Sequence, residues 1–215
     1  MIEYFNEDCM VGMARYPDKY FDLAIVDPPY GIGVDKMTMF DGAKKQERHK
    51  EYKDKAPNPE YFTELLRISR NQIVWGGNYF TDKLPPSRCY LSWDKIQEFS
   101  GSDFELAWTS FDKPSKAFRM CRAQAYGNGT IHPTQKPVAL YKWLLKNYAK
   151  QGDLILDTHV GSASSLIACH DMGFDAVGFE LDPDYYKASK QRLNDHMAQL
   201  RLTDMVAEQH EQLEL

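Results

Sequence analysis

The sequence predicts an α/β fold built on a mostly parallel central sheet with helices on both faces. Three observations predict it. Short apolar, β-branched runs such as Phe21-Asp22-Leu23-Ala24-Ile25-Val26, Gln72-Ile73-Val74-Trp75 and Ala176-Val177-Gly178-Phe179 have the length of strands buried on both faces. Stretches with a 3.6-residue apolar period alternate with them, which is the pattern of crossover connections. Several runs stop on an acid, namely Asp27, Asp157 and Glu180. That is the carboxyl edge at which open α/β sheets bind ligands.

Taken in order, Ile2-Glu3-Tyr4-Phe5 is a short strand followed by a helical turn near residues 11–15. The strand before Asp27 comes next. Residues 31–57 are polar with little periodicity, the mark of a functional loop. Asn58-Pro59 is an N-cap with proline at the first helical position, and Phe62, Leu65, Leu66 and Ser69 mark one helix face. Strands follow at Ile73, Leu91 and Leu106, and residues 110–131 are predicted to be irregular. Pro137 opens a helix carrying Leu140, Tyr141, Leu144, Leu145 and Tyr148 on one side. Leu154-Ile155-Leu156 is a strand ending at Asp157, with a helix to about Met172. After the strand ending at Glu180, a last helix presents Tyr186, Leu193, Met197 and Leu200.

Composition narrows the function classes. The 215 residues fit one domain, and 43% hydrophobic and 13% aromatic content supports a substantial core. No apolar run reaches the ~18 residues of a membrane span. Cys9, Cys89, Cys121 and Cys169 are scattered without metal or disulfide spacing, so the expectation is no metal and a reducing cytoplasm. Net charge is −5, but its distribution is uneven. Residues 36–55 hold seven Lys/Arg against four Asp/Glu, and residues 113–122 hold four basic residues and no acid. Either stretch is a solvated loop or a tracker of phosphates. Residues 203–215 hold four acids and no base, a tail expected to be disordered or to contact a partner.

Two constellations carry chemistry. Asp27-Pro28-Pro29-Tyr30 ends a buried strand, and its prolines force the chain out of the sheet in a fixed extended shape. The result is either a stiff turn with a capped acid or a corner presenting a carboxylate, a carbonyl and a ring together. Asp157-Thr158-His159-Val160-Gly161-Ser162-Ala163 leads from a strand into a helix, where glycine permits close backbone approach. Glu180 follows 23 residues on, placed to accept from ribose hydroxyls. A pyrophosphate fingerprint wants further glycines, whereas Ala163 and Ser165 stand here, so adenosine without phosphates suits the turn better than NAD does. A plain βαβ turn is the alternative.

These motifs together resemble the S-adenosylmethionine-dependent DNA amino-methyltransferases, in the order of the β class, where the catalytic motif precedes the cofactor turn. The residues carrying the resemblance are Asp8 with Cys9, Asp27 to Tyr30, Trp75-Gly76-Gly77-Asn78 and Trp93-Asp94-Lys95. His132-Pro133-Thr134-Gln135-Lys136-Pro137, Asp157 to Ser162 and Glu180-Leu181-Asp182-Pro183 complete the set. The resemblance covers about residues 1–200. The chain departs from the pattern at Thr158-His159, where family members carry Pro-Phe, and at Ala163, where they carry a second glycine.

The resemblance implies a Rossmann-like methyltransferase fold in circularly permuted motif order over residues 1–202, with an acidic tail at 203–215. It implies that the strands before Asp27 and Asp157 are central neighbours, and that one strand between residues 89 and 111 runs antiparallel. Residues 31–57 become a mobile DNA-contacting loop, and residues 110–131 a minimal target-recognition segment. Asp27, Pro28, Pro29 and Tyr30 are the implied catalytic residues. Asp8, Cys9, Asp27, His132, Thr134, Lys136, Asp157, His159, Gly161, Ser162, Ala163, Glu180 and Asp182 are implied for S-adenosylmethionine. Lys36, Lys44, Lys45, Arg48, Lys113, Lys116, Arg119 and Arg122 are assigned to DNA. A homodimer or a helper protein would supplement so small a recognition surface, and a restriction-modification setting is implied. The expected reaction is methylation of adenine N6 in DNA after base flipping. Two alternatives stay open: N4-cytosine or RNA as the target, and a non-catalytic nucleic-acid-binding relative.

Overall fold

The computed structural model describes residues 1–33, 54–96, 102–127 and 129–213, with backbone alone from residue 200 onward. Lys36, Lys44, Lys45 and Arg48, and with them the expected DNA-contacting loop apart from its two ends, lie outside the described residues.

Eight strands form one sheet. They are β1 (Ile2–Asn6), β2 (Phe21–Val26), β3 (Ser69–Trp75), β4 (Tyr90–Asp94), β5 (Phe104–Thr109), β6 (Lys116–Arg119), β7 (Leu154–Asp157) and β8 (Asp175–Glu180). Their spatial order is β1-β8-β7-β2-β3-β5-β4-β6. Only β5 runs against the others, pairing antiparallel with β3 and β4. β2 and β7 are central neighbours, so the strands ending at Asp27 and Asp157 lie side by side where the strand order reverses. Both implied placements are found.

Alternation along β2 divides the core. Leu23 and Ile25 face a cluster with Leu140, Leu144, Leu166 and Ile167 from α4 (Val138–Tyr148) and α5 (Ser164–Asp171). Ala24 and Val26 face the opposite cluster, with Met13 from α1 (Cys9–Met13) and Phe62 and Leu65 from α2 (Pro59–Ile68). Asn58 caps α2 by accepting from the Tyr61 N–H, with Pro59 opening the helix.

Two expectations change. Residues 110–131 are not irregular, because they form β6 and the short helix α3 (Arg122–Tyr126). Its Lys and Arg hide β6 in the sequence, yet the strand pairs with β4 as a charged edge, and Phe118 packs on Trp143 with centroids 5.8 Å apart. The acidic segment is not a separate tail either, since α6 (Pro183–Leu213) continues through it.

Candidate active site

Proline at positions 28 and 29 ends β2, and the chain turns so that the Tyr30 hydroxyl donates back to Oδ1 of Asp27 at 2.7 Å. Gly76 makes room for the ring. It sits after β3 at φ +70°, and a Cβ there would lie 2.2 Å from Tyr30 Cε1. Tyr79 stacks on the Tyr30 ring with centroids 5.2 Å apart. At the loop's base, Asp54 accepts from the N–H groups of Gly31 and Gly33 at 2.8 and 2.7 Å, tying the chain before the loop to the chain after it.

The other oxygen of Asp27 is also engaged. Lys136 Nζ donates to Oδ2 at 2.5 Å and to the Tyr30 hydroxyl at 3.1 Å, and it meets Oε2 of Glu105 at 3.0 Å. Lys95 pairs with Oε1 of Glu105 at 2.8 Å. The Lys136 side chain is only 2% exposed, so its charge is stable there because two carboxylates neutralise it. Those carboxylates hold the ammonium above its ordinary range despite burial. Glu105 is drawn down to about 2, its burial outweighed by the two lysines. Burial pushes the Asp27 carboxyl up, with Lys136 pulling it back. The Lys136 ammonium in direct contact favours the ionised form of Asp27 against that burial.

The second half of the site lies on β7, β8 and β1. Asp157 accepts from the His159 N–H at 3.0 Å and from Ser165 Oγ at 2.5 Å, and burial still raises it to about 7. Gly161, at φ +54°, donates its N–H to Oε2 of Glu180 at 2.9 Å, and Asp182 N–H donates to Oε1 at 2.9 Å. Ala163 caps α5 at φ +63°, so it keeps a glycine-type conformation where the resemblance expects glycine. His159 packs edge-on to Tyr61 at 5.3 Å, next to Thr158, whose hydroxyl is 2.6 Å from Tyr61 Oη. Burial lowers the imidazole to about 4, so it is neutral.

Asp8 caps α1 by accepting from Met10 N–H at 2.7 Å. Beside it the Cys9 thiol is pushed up to about 12 by burial and by Asp8. Ser162 presents its hydroxyl to Ser164 and its carbonyl to Arg192. Asp182 accepts from the N–H groups of Asp184 and Tyr185, and the Tyr185 ring meets His132 at 4.5 Å. Thr134 Oγ1 lies 3.2 Å from His132 Nδ1.

A family model described as "DNA methylase", for N6- and N4-acting enzymes, matches residues 74–191. The chain belongs to this family of S-adenosylmethionine-dependent DNA amino-methyltransferases. It is 35% identical to the type II methyltransferase M.HpaI of Haemophilus parainfluenzae, over 85% of this chain and 71% of that protein. Two further curated relatives, the type II methyltransferases M2.LlaDCHI of Lactococcus lactis and M2.DpnII of Streptococcus pneumoniae, are matched over 47% of their length. Among solved structures, the M1.HpyAVI–SAM complex superposes with a TM-score of 0.60 at 17% identity, covering 89% of this chain and 100% of that one. PvuII DNA methyltransferase, described as cytosine-N4-specific, gives 0.61 at 12% identity, covering 91% and 90%.

Within this methylase, the structure brings Asp8, Asp27, Asp157 and Glu180 to one sheet edge, at the ends of adjacent strands. It sets Lys136, which the resemblance assigns to S-adenosylmethionine, on Asp27. It also splits the basic stretch, because β6 runs parallel to β4 from the opposite edge. Arg119 and Arg122 lie at the Asp27 edge, where Arg119 pairs with Asp94 at 3.3 Å and Arg122 sits over the Tyr126 ring. Lys113 and Lys116 lie at the other end of β6, against Phe111, Tyr148 and Asn147. Sequence reasoning missed Glu105, Tyr61 and Tyr79, and quoted Lys95 in a motif without giving it a role. A charged residue inside the apolar run Phe104-Glu105-Leu106-Ala107 was the available signal for the first.

Among the described residues no helix is long and apolar enough to cross a membrane.

Proposed function

We propose that the chain transfers a methyl group from S-adenosylmethionine to the N6 amine of adenine in DNA. The observation that carries this reading is the Asp27 carboxyl group, paired through Oδ2 with Lys136 at the strand edge and with Oδ1 bonded only to the nearby Tyr30 hydroxyl among the described contacts. An aromatic amine is a poor nucleophile because its lone pair is delocalised into the ring. Oδ1 of Asp27 and the Pro28 carbonyl accept its two N–H bonds, which favours a pyramidal nitrogen with a freed lone pair. Asp27 then stabilises the positive charge that grows on that nitrogen, and Lys136 keeps the carboxylate in place without protonating it.

The residues of the second half fit the methyl donor. Gly161 adopts φ +54°, a left-handed conformation that favours glycine in the turn that would face the donor. Asp8, Glu180 and Asp157 lie on successive strands, and with Asp27 they span ~14 Å at ordinary strand spacing. Carboxylates in that row suit the ribose hydroxyls, the ammonium and the sulfonium of S-adenosylmethionine, with the neutral His159 beside the methionine part. When bound, this donor supplies an electrophilic methyl on sulfur. The flipped base would enter beside the stacked Tyr30–Tyr79 pair, within reach of Asp27.

Arg119 and Arg122, with the basic loop at 36–55, would hold phosphates. The family spans both amines, and cytosine N4 is the second reading. By the habit of the family alone, an acid rather than serine before Pro-Pro-Tyr favours adenine. The deciding experiment incubates the protein with methyl-labelled donor and duplexes that either contain or lack adenine. Label only in the adenine-containing DNA is expected. Label in adenine-free DNA moves the assignment to cytosine.

A further inference from the structure

Trp93-Asp94-Lys95 and Glu105 face one another across the β4–β5 hairpin, where Trp93 is in register with Glu105, yet the reaction as written uses neither charge. The ammonium of Lys136 has three N–H donors, and three oxygens lie around it: Asp27 Oδ2, Glu105 Oε2 and the Tyr30 hydroxyl. Glu105 in turn is held from its other oxygen by Lys95. The two contacts on Asp27 differ in charge. Lys136 is a buried cation paired with two carboxylates, whereas Tyr30 meets Oδ1 through a neutral hydroxyl.

We infer that Glu105 is a positioning residue: braced by Lys95, it holds Lys136 on Oδ2 of Asp27 and so reserves Oδ1, after departure of the Tyr30 hydroxyl, for the target amine. This rests on the reading of Asp27 as the acceptor of that amine. The groups facing Asp27 are Lys136 and Tyr30 in contact and Glu105 beyond Lys136, while Asp157, Tyr61, Tyr126 and Tyr141 feel its charge from their own elements.

The sign of one measurement separates positioning from mere proximity. A nearby Glu105 anion by itself raises the Asp27 carboxyl, so its removal would lower it. If Glu105 holds Lys136 in place, its removal releases the cation and the Asp27 carboxyl rises instead. The test is the titration of Asp27 by carbon-13 carboxyl NMR in the free protein, with Asp27→Asn for assignment. Glu105→Gln is expected to raise the Asp27 midpoint by roughly one unit or more, in the direction of Lys136→Met. A fall or no change overturns the inference. Lys95→Met leaves Glu105 and Lys136 in place and is expected to move the midpoint the same way by less, which keeps the test open should Glu105→Gln fail to fold. No movement in Lys95→Met overturns the bracing role. Because the readout needs no turnover, it judges Glu105 separately from methyl transfer. Wild-type protein that labels neither DNA would sink the function reading and leave the titration standing.

Discussion

The Gly161 N–H donates to Oε2 of Glu180 across 2.9 Å, joining the turn after β7 to the end of β8. The glycine that permits close approach is thereby locked by the same acid that the resemblance assigns to ribose. Glu180→Ala should remove both functions at once. Loss of a hydrogen bond to a charged acceptor is worth about 1.5–3 kcal/mol, so donor affinity is expected to drop roughly 10- to 100-fold, with a lower melting temperature. Glu180→Gln keeps an acceptor for Gly161 and should recover most of the stability and less of the affinity. Equilibrium binding of S-adenosylmethionine and thermal melts read the two effects separately.

Tyr30 and Asp27 should separate in the same way. Tyr30→Phe keeps the ring between Gly76 and Tyr79 but takes the hydroxyl from Oδ1 of Asp27. The free protein should lose about 1–2 kcal/mol, while turnover stays within a few-fold because the target amine replaces that bond. Asp27→Ala should lower kcat by ~100-fold or more with donor binding retained. Near-wild-type turnover in Asp27→Ala would remove Asp27 from the mechanism.

The division of basic residues by β6 gives a contrast within ten residues of sequence. Arg119→Ala with Arg122→Ala should weaken DNA binding for all sequences alike and reduce the salt slope by about 2. Lys113→Ala with Lys116→Ala should leave that slope unchanged. Equal slopes in the two double variants would mean that DNA does not approach along the Asp27 edge.

Much of this was legible in the sequence. Strands ending on Asp27, Asp157 and Glu180 marked the sheet edge, and motif order placed β2 beside β7. What escaped had physical reasons. β6 carries Lys116 and Arg119, so its edge-strand alternation looks like a basic loop. Glu105 reaches Lys136 only because β5 reverses direction between β3 and β4, which no local pattern encodes. Lys136 was read with the cofactor because its motif precedes α4, whereas its long stem carries the ammonium across to Asp27. Ala163 kept the glycine conformation without being glycine, so the turn survived a departure in its motif.

Asp157 and His159 should pull the stability profile in opposite directions. Asp157 is raised from 3.8 to about 7, so the native state holds a proton that the unfolded chain has released, and stability falls as pH rises from about 4 to 7. His159 is lowered from 6.5 to about 4, so below pH 6.5 the unfolded chain binds a proton that the native state refuses, and stability falls as pH drops. In wild type the two partly cancel across one window. Relative to wild type, Asp157→Asn should gain roughly 3 kcal/mol on going from pH 4 to 7.5, and His159→Phe a similar amount in the reverse direction. Thermal melts at pH 4, 5.5 and 7.5 read both, and a pH-independent difference for either variant would refute the environment assigned to that side chain.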